Sequence, residues 1–236
     1  KDDVLLYADA LKFLSACLKK YHNRNVIILI DEYDVPLENA FFQGFYNEMI
    51  QFIHSLFEYA LKTNDNLEFA VITGCLRISK ESIFSDLNNL KVVTTTSNEY
   101  TTAFGFTEPE VFAALEQFGL SEEKEKVKNW YDGFIFGGYK DIYNPWSILN
   151  FLAKKNYTTY WANTSSNCLV GKLLREGNRR VKESFERLLS GETIKTPIDE
   201  QIVYNQLDGN EEAIWSLLLA SGYLKIISCD ELNSGT

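Results

Sequence analysis

Three carboxylates crowd the stretch DEYD, residues 31–34, directly after the all-apolar run VIILI. In parallel α/β sheets, ligands bind in the crevice beyond the carboxyl ends of the strands, and Asp31, the first residue past the run, emerges at such an edge. Its carboxylate can hold Mg²⁺ through water while the ion bridges a nucleotide's phosphates, and Glu32 beside it can orient and deprotonate an attacking water. Asp34 is read as a local cap or as a group supporting these two. The same four residues also suit a plain acidic turn after a core strand, and both readings stand at this point.

A second apolar run ends in matching chemistry. VITGCLRISKES places Thr73, Gly74, Arg77, Ser79 and Lys80 at and beyond the end of a strand, where a neighbour of VIILI would present them to the same crevice. Thr73 can bond the attacking water or a γ-phosphate oxygen. Arg77 can add positive charge to a leaving phosphate, in its own site or a neighbouring subunit's, or simply pair with the surrounding acids. The candidate catalytic residues are therefore Glu32, Thr73 and Arg77, and Asp31 is the candidate ligand of the metal and its nucleotide. The other half of a nucleotide site is not encoded here. No G-x-x-x-x-G-K-[ST] occurs, and Gly171-Lys172 is followed by Leu173.

The rest of the chemistry-bearing inventory is sparse. Cys17, Cys75, Cys168 and Cys229 lie far apart with no C-x-x-C pair, which argues against zinc and against a disulfide scaffold. Cys17 and Cys75 fall on apolar patterns that suit small buried residues. His22 and His54 stand alone. The net charge of −10 is concentrated in the first half: residues 1–120 hold nine Lys and Arg against 17 Asp and Glu, and repel polyanions unless a metal intervenes. Residues 171–188, GKLLREGNRRVKESFERL, carry six basic and three acidic side chains, a surface for DNA or a solvated helix laced with ion pairs. No apolar run reaches the ~18 residues of a membrane span and no signal peptide opens the chain, so a cytoplasmic protein is expected.

The elements that must position these residues follow from periodicity. YADALKFLSACLKKY sets Leu11, Leu14, Leu18 and Tyr21 near one face of a helix. VIILI is too apolar for a strand with one exposed face and predicts a parallel strand covered on both sides. Phe42, Phe45, Met49, Phe52, Ile53, Leu56, Phe57 and Ala60 predict one helix of about five turns. LEFAVITG completes a βαβ unit, and LKVVTTT (90–96) predicts a further strand. From Thr107 the pattern turns helical. Thr107 and Glu110 form a capping box with Pro109 in the first turn, FIFGGYKDIY is a hairpin about Gly137 and Gly138, and Asn144 and Pro145 open the helix NPWSILNFL. Helices over 167–176 and 178–190 precede an extended stretch, the helix NEEAIWSLLLASG and a strand YLKIISCD, in a winged-helix-like order. A domain boundary is placed at residue 106.

The blocks ILIDEYDVPLENAF, VITGCLRISKESIFSDLNNL, GFTEPEV, VKNWYDGFIFGG, YNPWSILNFL, YWANTSSN and IWSLLLASGYL, in this order, resemble the AAA-ATPase-like proteins of gut and anaerobic bacteria. The resemblance implies a partial P-loop ATPase core over 1–106 and a helical lid and winged-helix-like region over 107–236. It makes Asp31 and Glu32 the Walker B pair, Mg²⁺ ligand and base, and Thr73 the polar residue ending the sensor strand. Trp130, Tyr131, Asp132 and Gly133 match a WYDG block and Asn144 and Pro145 a YNP block, where Trp130, Tyr131 and Trp146 also suit core aromatics. The family's amino-terminal P-loop and carboxy-terminal PD-(D/E)XK nuclease-like domain are not in this sequence. The implied function is ATP binding and hydrolysis with Mg²⁺ in a parent protein, alone or as a homo-oligomer, with this chain inactive by itself. The alternative is a degenerate ATPase that docks protein or DNA.

Overall fold

A computed structural model describes residues 7–75, 83–84, 87, 90–161, 171, 175, 177–199 and 210–228. Chain contacts divide it into two compact units, Lys1–Lys91 with Thr196–Leu217, and Val92–Lys195 with Leu218–Thr236. Among the described residues no helix is long and apolar enough to cross a membrane.

The first unit is a small αβ assembly. Helix α1 (Ala10–His22) ends at Asn23, whose left-handed φ of 51° lets its N–H close on Lys19. Strand β1 (Val26–Ile30) follows, and its predicted parallel partner β2 (Leu67–Ile72) pairs with it from Ile27↔Phe69 through Ile30↔Ile72. The crossover is not one helix. Gly44, at φ 81°, caps α2 (Val35–Gln43), and the chain restarts as α3 (Tyr46–Phe57), which widens into a π-helical turn over Glu58–Lys62. The apolar steps of three and four persist across this break. A left-handed glycine can therefore interrupt a helix that periodicity alone reads as continuous.

Burial is one-sided. Ile28 of β1 is 8% exposed and turns to the core that also holds Leu37, Ala40, Ile53, Phe57, Ala60 and Leu61. The opposite face carries Ile27, Leu29, Phe69 and Val71, exposed by 51%, 73%, 50% and 46%. The expectation of cover on both sides is thus met on one side only. The predicted apolar face of α1 is likewise open at Leu14, Leu18 and Tyr21, and Cys17 and Cys75 are exposed rather than buried.

The second unit closes its own core. The short strand β3 (Phe106–Thr107) leads into α4 (Glu108–Gln117) through the predicted capping box, in which Thr107 N–H and hydroxyl both donate to Glu110 Oε2 at 2.8 Å. These bonds hold the Glu110 carboxyl below its ordinary range. Helix α5 (Lys124–Tyr131) runs directly into β4 (Asp132–Phe136), which turns at Gly137-Gly138 into β5 (Tyr139–Tyr143), giving the antiparallel order β3-β5-β4. Gly137 has φ 53°, and a Cβ there would lie 2.5 Å from Ser97 O, so the turn needs glycine twice over. Helix α6 (Pro145–Lys154) is capped by Asn144, which accepts from Ser147 N–H at 3.1 Å. Val111, Leu115, Val127, Tyr131, Tyr143, Ile148, Phe151 and Leu152 form the core. Tyr131 belongs to it, whereas Trp130 and Trp146 are 47% and 54% exposed and are not core aromatics.

Two further helices are α7 (Arg179–Leu189), capped by Asn178, and α8 (Glu211–Ala220), whose Ala213–Leu218 are all buried. The strands expected over 90–96 and 223–228 are not formed. Most of the helix expected over 167–176, and residues 200–209 and 229–230, lie outside the described residues. Replacing Asn144 with Ala removes the α6 cap and is expected to lower stability by about 1 kcal/mol in denaturant unfolding, while Asn144→Asp leaves it nearly unchanged.

Candidate active site at the β1 and β2 tips

The parallel register carries both strands to a common end. Thr73 N–H donates to Ile30 O at 2.8 Å and Tyr33 N–H to Thr73 O at 3.0 Å, so the ladder continues one step past the strands. The Thr73 side chain closes the gap between them. Its hydroxyl donates to Asp31 Oδ1 and accepts from Glu32 N–H at 3.3 Å. Asp31, Glu32 and Thr73, three of the residues singled out by type and spacing, are thereby in one place. Arg77, with Ser79 and Lys80, lies outside the described residues.

Local backbone explains how DEYD sorts its side chains. Glu32 takes φ 52°, a left-handed conformation that costs a non-glycine residue about 1–2 kcal/mol. The kink leaves Asp31 and Glu32 exposed and sends Tyr33 and Asp34 inward, to 8% and 5% exposure. Tyr33 packs its ring against Phe57 and Phe84, with centroids at 6.2 and 5.2 Å. Asp34 stands at the N-cap position of α2, where its carbonyl accepts from Leu37 and Glu38 at 3.0 and 2.9 Å but its side chain makes no capping bond. The carboxylate instead turns to the β2 tip.

Acidic charge accumulates there. Burial, and then the Asp34 charge, push the Glu38 carboxyl up. Partial enclosure of the thiol, followed by the charges of Asp34, Glu32 and Glu38, pushes Cys75 up although the residue as a whole is exposed, which disfavours its thiolate. No group of three or more His, Cys, Asp or Glu able to cage a metal occurs among the described residues. The donors that are present are hard: a carboxylate and a hydroxyl, joined and open to solvent at Asp31 and Thr73. Such a set fits Mg²⁺, which keeps several waters and takes one or two carboxylates plus phosphate oxygens, and does not fit a soft metal.

Gly74, named at the strand end by the sequence reading but given no role there, has a steric one. A Cβ on it would lie 2.6 Å from Tyr33 Cε1, 2.7 Å from Tyr33 Cδ1 and 2.8 Å from Asp34 Oδ1. The Tyr33 ring is held from yielding by its contacts with Phe57 and Phe84, which stack on each other at 6.0 Å beside it. The signal in the sequence was the small residue directly after the polar strand end. Gly74→Ala is expected to cost about 1–3 kcal/mol in unfolding and to spread the two strand tips, read as lost amide protection at Tyr33 and Thr73.

Comparison with known proteins gives a partial resemblance. Residues 5–84 match the family model AAA-ATPase-like, described as a predicted AAA-ATPase. An uncharacterized protein in the vnfD 5′ region of Azotobacter chroococcum mcd 1 is 26% identical over 202 residues, covering 85% of this chain. The chain spans 37% of the length of that relative. No solved structure matches significantly. Over residues 5–84 the chain thus resembles the AAA-ATPase-like family, and the β1–β2 pair with its acidic tip lies wholly inside the matched segment.

Proposed function

We propose that this chain supplies the Walker B and sensor strands of an ATP site, and that the parent polypeptide binds and hydrolyses ATP with Mg²⁺. In this reading residues 1–106 belong to a P-loop-like core, and residues 107–236 form a helical, winged-helix-like lid region. The observation that carries it is the Thr73 hydroxyl held between the Asp31 carboxylate and the Glu32 N–H at the tips of two parallel strands.

Each residue has a task in that site. Asp31 would hold Mg²⁺, which when bound neutralises phosphate charge. Thr73 restrains the Asp31 carboxylate and ties its direction to the backbone of Glu32. Glu32, exposed on its left-handed turn, takes the proton of the attacking water. Arg77 adds positive charge to the leaving phosphate, in its own site or a neighbouring copy's. The phosphate-binding loop must come from elsewhere in the parent polypeptide, since no such motif occurs in residues 1–236. Ile27, Leu29, Phe69 and Val71 offer the apolar surface that its strand and helix would cover, and parallel sheets are ordinarily covered on both faces. A carboxy-terminal nuclease-like domain and a homo-oligomer remain further parts of the proposal.

The same bare face favours a second reading, in which the core is degenerate and docks a partner. DNA binding through 171–188 is the nucleic-acid form of it. On α7, Arg179 is already paired with Glu183 at 2.6 Å and Arg187 with Glu192 at 2.8 Å, which reduces the charge left for phosphates.

In a polypeptide that includes the phosphate loop, Glu32→Gln is expected to lower kcat for ATP by about 10²–10⁴-fold while leaving ATP affinity intact. Thr73→Val is expected to weaken Mg²⁺ affinity by about 10–100-fold, read as a higher Mg²⁺ concentration for half-maximal turnover. Undiminished turnover in Glu32→Gln removes the base assignment. The 236-residue chain alone is expected to show no ATP binding in calorimetry, and micromolar affinity would overturn the half-site reading.

A further inference from the structure

The YNP block and the Tyr160-Trp161 pair have no task in the nucleotide reading, yet they meet on the second unit. Asn144, Pro145 and Trp146 at the start of α6 and Trp161 beyond its end line one open cleft of about 450 Å³. Two indoles form its walls. The Trp161 ring is held in place: it meets Phe134 edge-on with centroids 5.9 Å apart, and it lies close over Gly222, where a Cβ would come within 2.9 Å of Trp161 Cη2 and 3.3 Å of Phe134 Cε1. Trp146 is more than half exposed, and Leu149, one helical turn on and also exposed, continues its apolar surface. A large ring left in water beside a second apolar side chain marks a contact surface rather than a core.

The polar groups around Trp146 sort by type. Asn144 Oδ1 accepts the Ser147 N–H at 3.1 Å and its carbonyl accepts the Ile148 N–H at 3.2 Å, so what its side chain has left for a ligand is the amide N–H₂. Trp146 O accepts from the Asn150 side chain at 2.9 Å, and the Trp146 indole is a donor only. Pro145 has no N–H, and its carbonyl lies in the first turn of α6, where helix bonding uses it. The start of α6 therefore offers a ligand donors and no acceptor.

Such a cleft is matched by a chain that carries acceptors, lacks donors and is flat and apolar enough to lie against indoles. A proline-rich peptide in the polyproline II conformation has these properties: its rings pack on aromatic side chains, its carbonyls are solvated, and each proline lacks an N–H. Nucleobases and sugars bring donors as well, for which Asn144, Pro145 and Trp146 hold no acceptor.

We propose that the Trp146–Trp161 cleft docks a proline-rich segment of a protein partner, with the indoles packing on proline rings and the Asn144 amide and Trp146 indole N–H donating to its carbonyls. Both sides are preset, Trp161 by Phe134 and Gly222 and the peptide by its own stiffness, so little conformational freedom is lost on binding. This inference does not depend on nucleotide chemistry.

Titration of an acetylated decaproline peptide into the isotope-labelled 236-residue chain, with the four indole N–H signals followed by NMR, tests the proposal. The Trp146 and Trp161 signals are expected to move saturably at micromolar peptide, while those of Trp130 and Trp215 stay in place. Trp146→Ala is expected to weaken binding by about 30-fold or more. Asn144→Asp keeps the capping oxygen of α6 and loses only the amide donor; it is expected to weaken binding by about 5–10-fold with unchanged stability in denaturant, a split that a purely structural role does not produce. Still indole signals, unchanged affinity in Trp146→Ala, or an equal response to a glycine–serine decapeptide overturns the proposal. A response to oligothymidylate in place of decaproline also overturns it and makes the cleft a base-stacking site. Should Trp146→Ala fail to fold, the indole signals of the unaltered chain and the Asn144→Asp comparison decide the question.

Discussion

Parallel pairing of β1 with β2 is the constraint on which the rest of the first unit depends. Two parallel strands in register end at the same edge, so the residues that follow them meet whatever their distance along the chain. Here 42 positions separate Asp31 from Thr73, and the shared edge reduces that to a hydrogen bond. The bond holds only because the ladder runs on through Thr73 and Tyr33 after the strands formally end. It also needs Gly74, whose missing side chain leaves room for the Tyr33 ring and the Asp34 carboxylate. A kinked Glu32 completes the arrangement, because a regular strand would alternate Asp31 and Glu32 to opposite faces.

The two units differ in how completely they satisfy their apolar surface. The second closes a core of aliphatic side chains and stacked aromatics, with Tyr131 and Tyr157 nearly parallel at 6.1 Å and Tyr131 anchored to Thr158 O at 3.1 Å. The first leaves one face of its two-stranded sheet bare and one side of α1 open. A sheet of two strands is marginal without cover, and burial of that face by any partner would contribute more stability than a surface polar contact. The candidate site stands at the end of the less completed element.

Residues whose conformation is decided by near neighbours were legible in advance. The Thr107–Glu110 box and the Asn144 cap with Pro145 after it depend on bonds within a few positions, and the glycine pair marked a turn that Thr95 and Asn98 also hold from afar. Apolar runs announced β1 and β2 as well, although their pairing is long-range. Periodicity failed where a single residue overrode it, as Gly44 did between α2 and α3. It failed too at residues 90–96, where β-branched side chains found no strand to pair with and stayed irregular, since strand propensity is realised only through cross-strand contact. The exposure of Trp130 and Trp146 had no local signal, because burial depends on what the rest of the chain brings against a ring.

The amino-acid order by itself therefore determined which residues could act and which local elements carry them: acids after one apolar run, a threonine after another, caps and a turn at their proper spacings. Only the tertiary structure decided that the acids and the threonine touch, and that Tyr33 and Gly74 interlock behind them. The physical reason is range. Capping bonds are settled within one helical turn, whereas register and burial arise from surfaces that meet only after distant segments have packed.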